Sequence, residues 1–186
     1  MRKNLSPKPL IYPLPVLIIA TYDENNVADA MNAAWGTICD VNQVCIFVSK
    51  SHKTAKNIFL KKEFTVSMAD SYNVVEADFV GVVSANDDPY KLNKTKWTTI
   101  QSEHVDAPII EQLPLTLECK MVSYDDESEC LIGEVVNVSV DEKILTDGKI
   151  DLNKFKPIAY DPYNHEYVTL GASVGKAFKD GLKLKG

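Results

Sequence analysis

The stretch Val44–Met68, "VCIFVSKSHKTAKNIFLKKEFTVSM", passes from one apolar run to another through a turn of hydroxyls and cations. Its two ends, Val44–Ser49 and Phe64–Met68, are rich in branched and aromatic residues and predict buried strands. Thr54–Leu60, between them, is short enough for a helix of two turns. The segment holds five lysines and one acidic residue, although the chain as a whole has a formal net charge of −6.

The turn that opens this helix has the composition of a phosphate site. A helix N-terminus offers unpaired backbone N–H groups and a partial positive charge. Lysines can neutralise a phosphate there and hydroxyls can donate hydrogen bonds to it, and the sequence supplies Lys50, Lys53, Lys56, Ser49, Ser51 and Thr54. The alternative, given equal weight on spacing alone, is that Thr54 caps the helix while the lysines only solvate the surface. Neither a P-loop nor a dinucleotide-binding glycine pattern is present, so neither of those phosphate-binding folds is indicated.

A second feature is the small-residue stretch Ala28–Thr37, "ADAMNAAWGT". Alanines and a glycine let a flat ligand approach the backbone closely, and Asn32 and Thr37 add polar groups. Trp35 could stack on such a ligand. The alternative, favoured when this stretch is considered alone, is a tightly packed strand with Trp35 in the core.

The remaining pattern predicts strands with short helices between them. We predict strands at Pro15–Tyr22, Leu113–Tyr124 and Cys130–Glu142, whereas Val27–Ile38 fits either a strand or a helix. Asp23–Asn26 and Asp125–Glu129 are predicted turns. Helices are predicted early in Ser71–Ser84 with Ser71 as the cap, in Asn86–Lys94 with Asp88 as the cap and Pro89 in the first turn, and in Gly171–Gly181. The fold class is mainly β with α decoration, an antiparallel barrel in a single domain over residues 1–186.

The overall composition narrows the function classes. A sequence pI near 5.1 argues against a nucleic-acid surface or an anionic membrane surface. The N-terminal apolar run is interrupted by Pro13 and Pro15 and has no signal-peptide pattern, so no membrane segment and a cytoplasmic location are expected. The four cysteines form no C-x-x-C pair and do not cluster with the histidines. We therefore expect no metal site, and we expect buried structural thiols.

Read together, several segments resemble the flavin reductase-like, FMN-binding split-barrel family, in particular its flavoredoxin-like branch. The resemblance is carried by the order and spacing of "PLPVLIIATYDENNVADAMNAAWGT", "VSKSHKTAKNIFLKKEFTVSM", "EADFVGVVS", "DAPIIEQLPLTLECKMV", "LIGEVVNV" and "TDGKIDLNKFKPIAYDPYNHEYVTLGASVGKAFKDG". Together they cover nearly the whole chain.

The resemblance implies a six-stranded antiparallel split β-barrel that forms a homodimer and binds FMN near the subunit interface. It implies that the turn holds the FMN phosphate through Ser49, Lys50, Ser51, His52, Lys53 and Thr54. It implies that the isoalloxazine ring is lined by Asn32, Ala33, Ala34, Trp35, Gly36 and Thr37. The implied activity is that of an FMN-dependent oxidoreductase, which takes hydride from NADH or NADPH and passes electrons to flavin, a small-molecule acceptor or an electron-transfer protein. No dedicated catalytic side chain is expected, since the flavin carries the redox chemistry.

The sequence departs from the family pattern at two points. An "S-G-x-x-x-D-K" run is here "SANDDPYK", Ser84–Lys91, with Ala85 in place of glycine and one extra residue before Lys91. Lys91 is retained as a candidate cofactor ligand, with its role open. The hairpin that carries a histidine in many active reductases has none at Glu127–Glu129. This favours, weakly, the alternative of an FMN-binding electron carrier without nicotinamide turnover. A third alternative is a barrel that binds another phosphorylated or planar ligand without redox chemistry.

Overall fold

A computed structural model of the protein describes residues 1–185. Its strands are β1 Leu14–Pro15, β2 Leu17–Tyr22, β3 Ala28–Ala33, β4 Gly36–Asp40, β5 Gln43–Phe47, β6 Glu63–Met68, β7 Thr99–Gln101, β8 Pro108–Ile110, β9 Leu115–Asp125, β10 Cys130–Val140, β11 Leu145–Thr146, β12 Lys149–Ile150, β13 Ile158–Asp161 and β14 Glu166–Thr169. Its α-helices are α1 Lys53–Lys61, α2 Val74–Val82 and α3 Leu152–Phe155.

The main sheet is antiparallel and curls into a split barrel. Its strand order is β3-β2-β6-β9-β10-β5-β4. The two edge strands, β3 and β4, are consecutive in the chain and are separated only by Ala34 and Trp35. The backbone N–H of Phe47 donates to the carbonyl of Trp35 at 2.9 Å, so pairing with β5 begins at the break itself. When β3 and β4 are counted as one bent strand, the barrel has the six strands that were predicted.

Strand β2 is apolar on both faces because it lies between two cores. Leu17 and Ile19 point into the barrel interior, where they pack with Phe64. Ile18 and Ala20 point outward into a second core, which α2 covers. A strand buried on both faces reads as a continuous apolar run and not as an alternating one. This explains the sequence "LIIATY".

Helix α1 follows the prediction to within one residue at each end, whereas α2 begins later than predicted. The N-cap position of α2 is Asn73, and the predicted cap, Ser71, is wrong. Asp70 makes the turn instead: its Oδ1 accepts from the backbone N–H groups of Tyr72 at 2.9 Å and Asn73 at 3.1 Å. Asp is well suited to this because its short side chain bonds to its own backbone two residues on.

Two predicted helices are absent from the described residues. The segment Asn86–Lys94 contains only a 3₁₀ turn, Lys91–Lys94, preceded by Tyr90, so Asp88 and Pro89 do not start a helix. The predicted helix Gly171–Gly181 is also wrong, and a 3₁₀ turn occurs later, at Asp180–Leu184. Val174 and Phe178 are fully exposed. With no surface to pack against, an amphipathic face gains nothing from forming a helix.

The cysteines only partly follow the prediction. Cys45 and Cys119 are buried, and burial with the neighbouring Glu118 charge raises the pKa of Cys119 to about 12. Cys130 is half-buried and Cys39 is exposed, so the prediction of burial is wrong for Cys39. Within residues 1–185, no helix is long and apolar enough to cross a membrane.

Candidate functional site

The turn Ser49–Thr54 leads from β5 into the uncapped N-terminus of α1. His52 occupies the N-cap position and makes no side-chain capping bond, and no acidic residue lies in the first turn. Ser51 Oγ lies 3.1 Å from Ser49 Oγ, so the two hydroxyls are adjacent at this helix end. The first N–H groups of a helix have no intrahelical partner. These N–H groups and hydroxyls are the donor set that a phosphate requires.

The lysines of this turn are paired with groups at its rim. Lys53 Nζ lies 2.8 Å from Glu24 Oε2, and hydrogen bonding to this lysine holds the pKa of Glu24 below its usual value. Lys50 pairs with Asp126 in the β9–β10 hairpin. Lys50 and Asp126 are both more than half exposed, and pairs of this kind are worth about 0–1 kcal/mol, so Lys50 can exchange its carboxylate for an incoming phosphate at little cost. The Lys53 side chain is only 19% exposed, but its partner Glu24 is 59% exposed and can be replaced by a phosphate.

Thr54 is directed into the protein, away from the turn surface. It is 2% exposed, and its hydroxyl donates to Asp29 Oδ2 on β3 at 2.5 Å. Thr54 therefore neither caps the helix nor presents its hydroxyl to the turn surface, and it fastens the start of α1 to the barrel. Its backbone N–H lies in the first turn of α1 and remains a candidate phosphate donor.

Lys91 belongs to the same buried cluster. It is 2% exposed, and its Nζ donates to the carbonyls of Val80 at 2.8 Å and Val83 at 2.7 Å. The same Nζ lies 3.6 Å from Asp29 Oδ1, a buried oxygen without a hydrogen bond. Burial lowers the pKa of Lys91, and the Asp29 charge opposes that shift. Lys91 thus joins the end of α2 to β3, and its direct contact with a cofactor stays a prediction.

The small-residue stretch is the break between β3 and β4. Asn32 and Ala33 end β3, Ala34 and Trp35 form the break, and Gly36 and Thr37 begin β4. The Trp35 side chain is 64% exposed, so the alternative that placed it in the core is wrong. An exposed indole at a bend in a barrel wall is available to a flat ligand.

Gly36 is required by the protein's own packing. A Cβ at this position would lie 2.7 Å from Leu17 Cδ1 and 3.0 Å from the carbonyl oxygen of Cys45. The space beside Gly36 is therefore filled by the barrel. The structure gives the glycine this reason in packing, and close approach by a ligand stays a prediction.

The phosphate turn and the strand break lie along the same strand. The Thr54–Asp29 bond fixes the start of α1 beside β3, and Ala33 is four residues further along that strand. At about 3.3 Å per residue this separation is about 13 Å. The arrangement suits an elongated ligand with a phosphate at one end and a ring system at the other.

Sequence reasoning did not single out Asn86 for the turn. Its Nδ2 donates to the carbonyl of Ser51 at 3.0 Å, and its Oδ1 accepts from Lys56 Nζ at 2.9 Å. Ser84 supports Asn86 through a bond from the Asn86 backbone N–H at 3.1 Å. The only signal in the sequence was the "SANDDPYK" segment that carries both residues.

The hairpin without a histidine, at Glu127–Glu129, lies beside the turn. A histidine from the β13–β14 hairpin lies near the strand break. The carbonyl of Glu129 accepts from the Val48 backbone N–H at 3.0 Å. His165, at the tip of the β13–β14 hairpin, lines a polar cavity together with Asn32 and Ala34. His165 is thus an exposed residue that also borders this cavity.

A larger apolar cavity of about 880 Å³ lies on the other side of the break. We call it the apolar groove. It is formed by the proline-rich N-terminal segment, by β4 and β5, and by the mouth of the barrel, and its lining includes Ile11, Pro13, Leu17, Trp35, Ile38, Phe47 and Met68. Ile38 is 77% exposed, which is unusual for a large aliphatic side chain in a strand.

Comparison with known proteins places this arrangement in a family. The family model described as "Flavin reductase like domain" matches residues 10–167, which contain both the turn and the strand break. The match therefore covers most of the chain.

Comparison with solved structures indicates the same family. Flavoredoxin of Desulfovibrio vulgaris (Miyazaki F) is 33% identical, with a TM-score of 0.93 over 97% of this chain and 100% of that one. Flavoredoxin from Methanosarcina acetivorans is 26% identical, with a TM-score of 0.87 over 99% of both chains. An FMN-binding domain of a flavin reductase-like enzyme from Shewanella baltica shares the fold at 18% identity, with a TM-score of 0.79 over 87% of this chain and 88% of that chain.

Proposed function

The chain belongs to the flavin reductase-like domain family, and from this we propose that it is an FMN-binding oxidoreductase. In this proposal it takes hydride from NADH or NADPH and passes electrons to a flavin, to another small-molecule acceptor or to an electron-transfer protein. The observation that carries the proposal is the uncapped, acid-free N-terminus of α1, which Thr54 and Asp29 fix about 13 Å along β3 from Ala33, two residues before an exposed tryptophan. FMN has a phosphate and a ring system, and both ends of it have a counterpart here.

The phosphate end would be held by the turn. Ser49 and Ser51 present hydroxyls, and Lys53 leaves Glu24 to pair with the phosphate. The backbone N–H groups of the first turn of α1 complete the donor set. His52 is exposed and can donate a further bond, and Asn86 holds the turn in shape through the Ser51 carbonyl.

The ring end would lie at the break between β3 and β4. Trp35 offers an exposed aromatic face, and Ala33 and Ala34 keep the neighbouring backbone uncovered by long side chains. When bound, FMN supplies the hydride and electron transfer chemistry, and the chain's part is to bind and orient it. No nicotinamide-binding glycine pattern exists in the sequence, so a nicotinamide would have to rest on the ring itself.

A comparison of FMN with riboflavin tests whether the turn binds the phosphate. A hydrogen bond to a charged group contributes about 1.5–3 kcal/mol, so loss of the whole phosphate should weaken binding more than tenfold. Fluorescence titration of the flavin-free protein with both ligands measures this. Equal affinities would show that the turn does not bind the phosphate. If neither flavin binds, the barrel has another ligand.

Anaerobic stopped-flow mixing separates the oxidoreductase from the electron carrier. FMN-loaded protein is mixed with NADH, with NADPH and, as a control for an intact flavin, with dithionite. Loss of the oxidised flavin absorbance with either nicotinamide supports the proposed activity. Loss with dithionite alone supports the second candidate, a carrier without nicotinamide turnover, which the absence of histidine at Glu127–Glu129 favours.

We also propose that the protein acts as a homodimer whose subunits meet at the apolar groove. Ile11, Trp35 and Ile38 are between 64% and 77% exposed in the single chain and line one cavity. Exposed apolar patches of this kind mark interaction sites. Because Trp35 belongs both to the groove and to the strand break, a partner placed there would also border the ring of the cofactor.

A further inference from the structure

Residues 171–185 form an exposed segment after β14, which we call the arm. It lies beyond the part of the chain that matches the family, which stops at residue 167. Every residue of the arm is exposed. Within residues 1–185, each hydrogen bond and ion pair that the arm makes joins two residues of the arm itself. The arm therefore leaves the barrel without packing on it.

The arm carries large apolar side chains that its own chain does not cover. Val174 is 103% exposed, Phe178 is 99% exposed and Leu184 is 92% exposed. Phe178 also has φ 62°, in the left-handed region that a bulky side chain rarely adopts. A conformation of this kind persists where surrounding structure holds it in place. Both features are those of a segment that packs against another molecule.

The arm is basic, whereas the rest of the chain is acidic. The arm contains four of the 20 lysines and arginines of the chain, and only one of its 26 aspartates and glutamates. An anionic membrane or a nucleic acid would attract the arm but would repel the acidic remainder of the protein. A second copy of this chain is itself acidic, so it attracts the arm without that penalty.

The apolar groove of a second copy has both surfaces that the arm needs. Its lining includes Ile11, Trp35 and Ile38, which are between 64% and 77% exposed. Phe47, also in the lining, is directly opposite Cys130, the residue that follows the β9–β10 hairpin. That hairpin exposes four acidic residues, Asp125, Asp126, Glu127 and Glu129. A groove of about 880 Å³ can accept an aromatic side chain with its apolar neighbours, and the acidic hairpin lies at its rim.

We propose that the arm of each subunit crosses to the other subunit and binds in its apolar groove, with Phe178 buried in the groove and the lysines against the acidic hairpin. This rests on the proposed homodimer, and it names the segment that joins the two subunits. Phe178 follows Thr169, the last residue of β14, by nine residues, and nine extended residues span about 30 Å. Exchange of an identical segment between two copies is a low-cost route to a dimer.

Photo-crosslinking in the full chain locates the arm. Phe178 is replaced by p-benzoylphenylalanine, which keeps an aromatic ring and reacts on irradiation with groups that contact it. We expect a covalent species of twice the chain mass on a denaturing gel, and mass spectrometry should join residue 178 to peptides that contain Ile38 or Phe47. Crosslinks within one chain only, or to another surface of the second subunit, would overturn the proposal.

Substitutions in the arm measure its contribution to the dimer. Phe178→Ala should raise the dissociation constant of the dimer about tenfold or more, because a buried aromatic contact is lost. Val174→Ala should raise it several-fold. Val75→Ala makes the same change at a 76% exposed position of α2 outside the groove and should alter it by no more than about twofold. Sedimentation over a concentration series measures all three, and circular dichroism should show an unchanged fold.

A charge reversal tests the contact with the acidic hairpin. Lys179→Glu should weaken the dimer, and the effect should shrink at high salt because exposed charges are screened. Lys143→Glu makes the same change outside the arm and the groove and should have little effect. An equal loss of dimer in both variants would overturn the contact between the arm and the hairpin.

The wild-type protein separates this proposal from the homodimer itself. If it is a dimer and Phe178→Ala dimerises equally well, the role of the arm fails and the homodimer stands. If it is a monomer at micromolar concentration, both fail. Binding to vesicles that contain phosphatidylserine, lost in Phe178→Ala, would assign the arm to a membrane surface and overturn the proposal.

Discussion

Thr54 lies in the sequence of the predicted phosphate turn, but its side chain acts in the protein interior. Its position in the turn predicted a phosphate ligand or a cap, but its hydroxyl is bonded to Asp29 in the interior. The bond joins α1 to β3, so it fixes where the helix N-terminus lies. Asp29 is held in turn between Thr54 and Lys91.

We therefore expect Thr54 and Lys53 to respond differently to substitution. Thr54→Val keeps the shape but removes the donor to a buried carboxylate, and it should lower the free energy of unfolding by about 1.5–3 kcal/mol. Lys53→Ala breaks only the pair with Glu24, which is largely exposed on the glutamate side, and should cost at most about 1 kcal/mol. Urea denaturation of the flavin-free protein measures both.

Substitution of two different lysines should have different effects on cofactor affinity. Lys53→Ala should weaken FMN binding about tenfold and riboflavin binding little, because a charge-assisted bond to phosphate is lost. The matched control is Lys143→Ala, since Lys143 also pairs with a carboxylate at 2.8 Å but lies far along the chain from the turn. If the two variants bind FMN equally well, the phosphate lies elsewhere.

At the residue scale, the sequence predicted the polar composition of the turn but not the direction of its side chains. Thr54 and Asp29 are 25 residues apart, and nothing local indicates that they meet. The same holds for Lys91, whose partners are carbonyls at the end of α2. Partner choice over such separations is decided by the tertiary fold, which local patterns do not encode.

Between elements, α2 touches β3 at a point where only glycine fits. A Cβ on Gly81 would lie 2.9 Å from Asn32 Cβ, an atom held close to the backbone of β3. Alanine normally stabilises a helix interior by about 1 kcal/mol relative to glycine. Here Gly81→Ala should instead destabilise the protein by about 1–3 kcal/mol, because helix and strand must separate.

Thermal unfolding of Gly81→Ala checks this sign. Val82→Ala, at a 75% exposed position of the same helix, is the control and should change stability by no more than about 0.5 kcal/mol. Gly81→Ala should also weaken FMN binding, since Asn32 lies at the predicted ring site. A stabilised Gly81→Ala protein would show that the contact is loose.

The β13–β14 hairpin should loosen in acid. Hydrogen bonds from the Tyr12 hydroxyl and the Asn164 side chain lower the pKa of Asp161 from 3.8 to about 2. A carboxyl with a lowered pKa stabilises the folded hairpin above pH about 4, and this contribution is lost as the pH falls towards 2. Amide hydrogen exchange of Tyr163–His165 should accelerate over this range.

Asp161→Asn is the control for the hairpin. It cannot titrate, so its hairpin should show the same exchange protection at pH 5 and pH 2.5 after correction for the intrinsic rate. Acid loosening that persists in this variant would assign the effect to another group.

Which elements the sequence could predict depended on packing. The long strands β9 and β10 and the turn between them follow from apolar patterning, because their faces are buried against a core. The helix expected at Gly171–Gly181 failed because Val174 and Phe178 meet no core within the described chain. Periodicity shows only that a segment could form an amphipathic helix. Whether the helix forms depends on a surface against which its apolar face can pack.

At the scale of the whole molecule, barrel closure depends on a bend that local patterns could not locate. Val27–Ile38 fits a strand or a helix by periodicity, and it is a strand broken at Ala34–Trp35. The order of motifs along the chain predicted the barrel, because the family resemblance carried by these motifs implies that the sheet closes. The single domain and the cytoplasmic location stay predictions.

The same bend leads to the last prediction, which concerns assembly. Ile38 lies on the edge strand β4, directly opposite Val44, and its 77% exposed side chain borders the apolar groove. Burying such a side chain against a second subunit is worth about 1.5–3 kcal/mol, and placing a charge there adds an unpaired buried cation. Ile38→Lys should therefore convert the proposed homodimer, about twice 20.7 kDa, into a monomer by light scattering at micromolar concentration. Val82→Lys, an equally exposed valine on α2 and outside the groove, should leave the mass unchanged. Because Trp35 lines both the groove and the strand break, the monomer should also bind FMN more weakly than the wild-type protein. A wild-type monomer that binds FMN would place the whole site within one chain, and the exposed side chains of the groove would then need another partner.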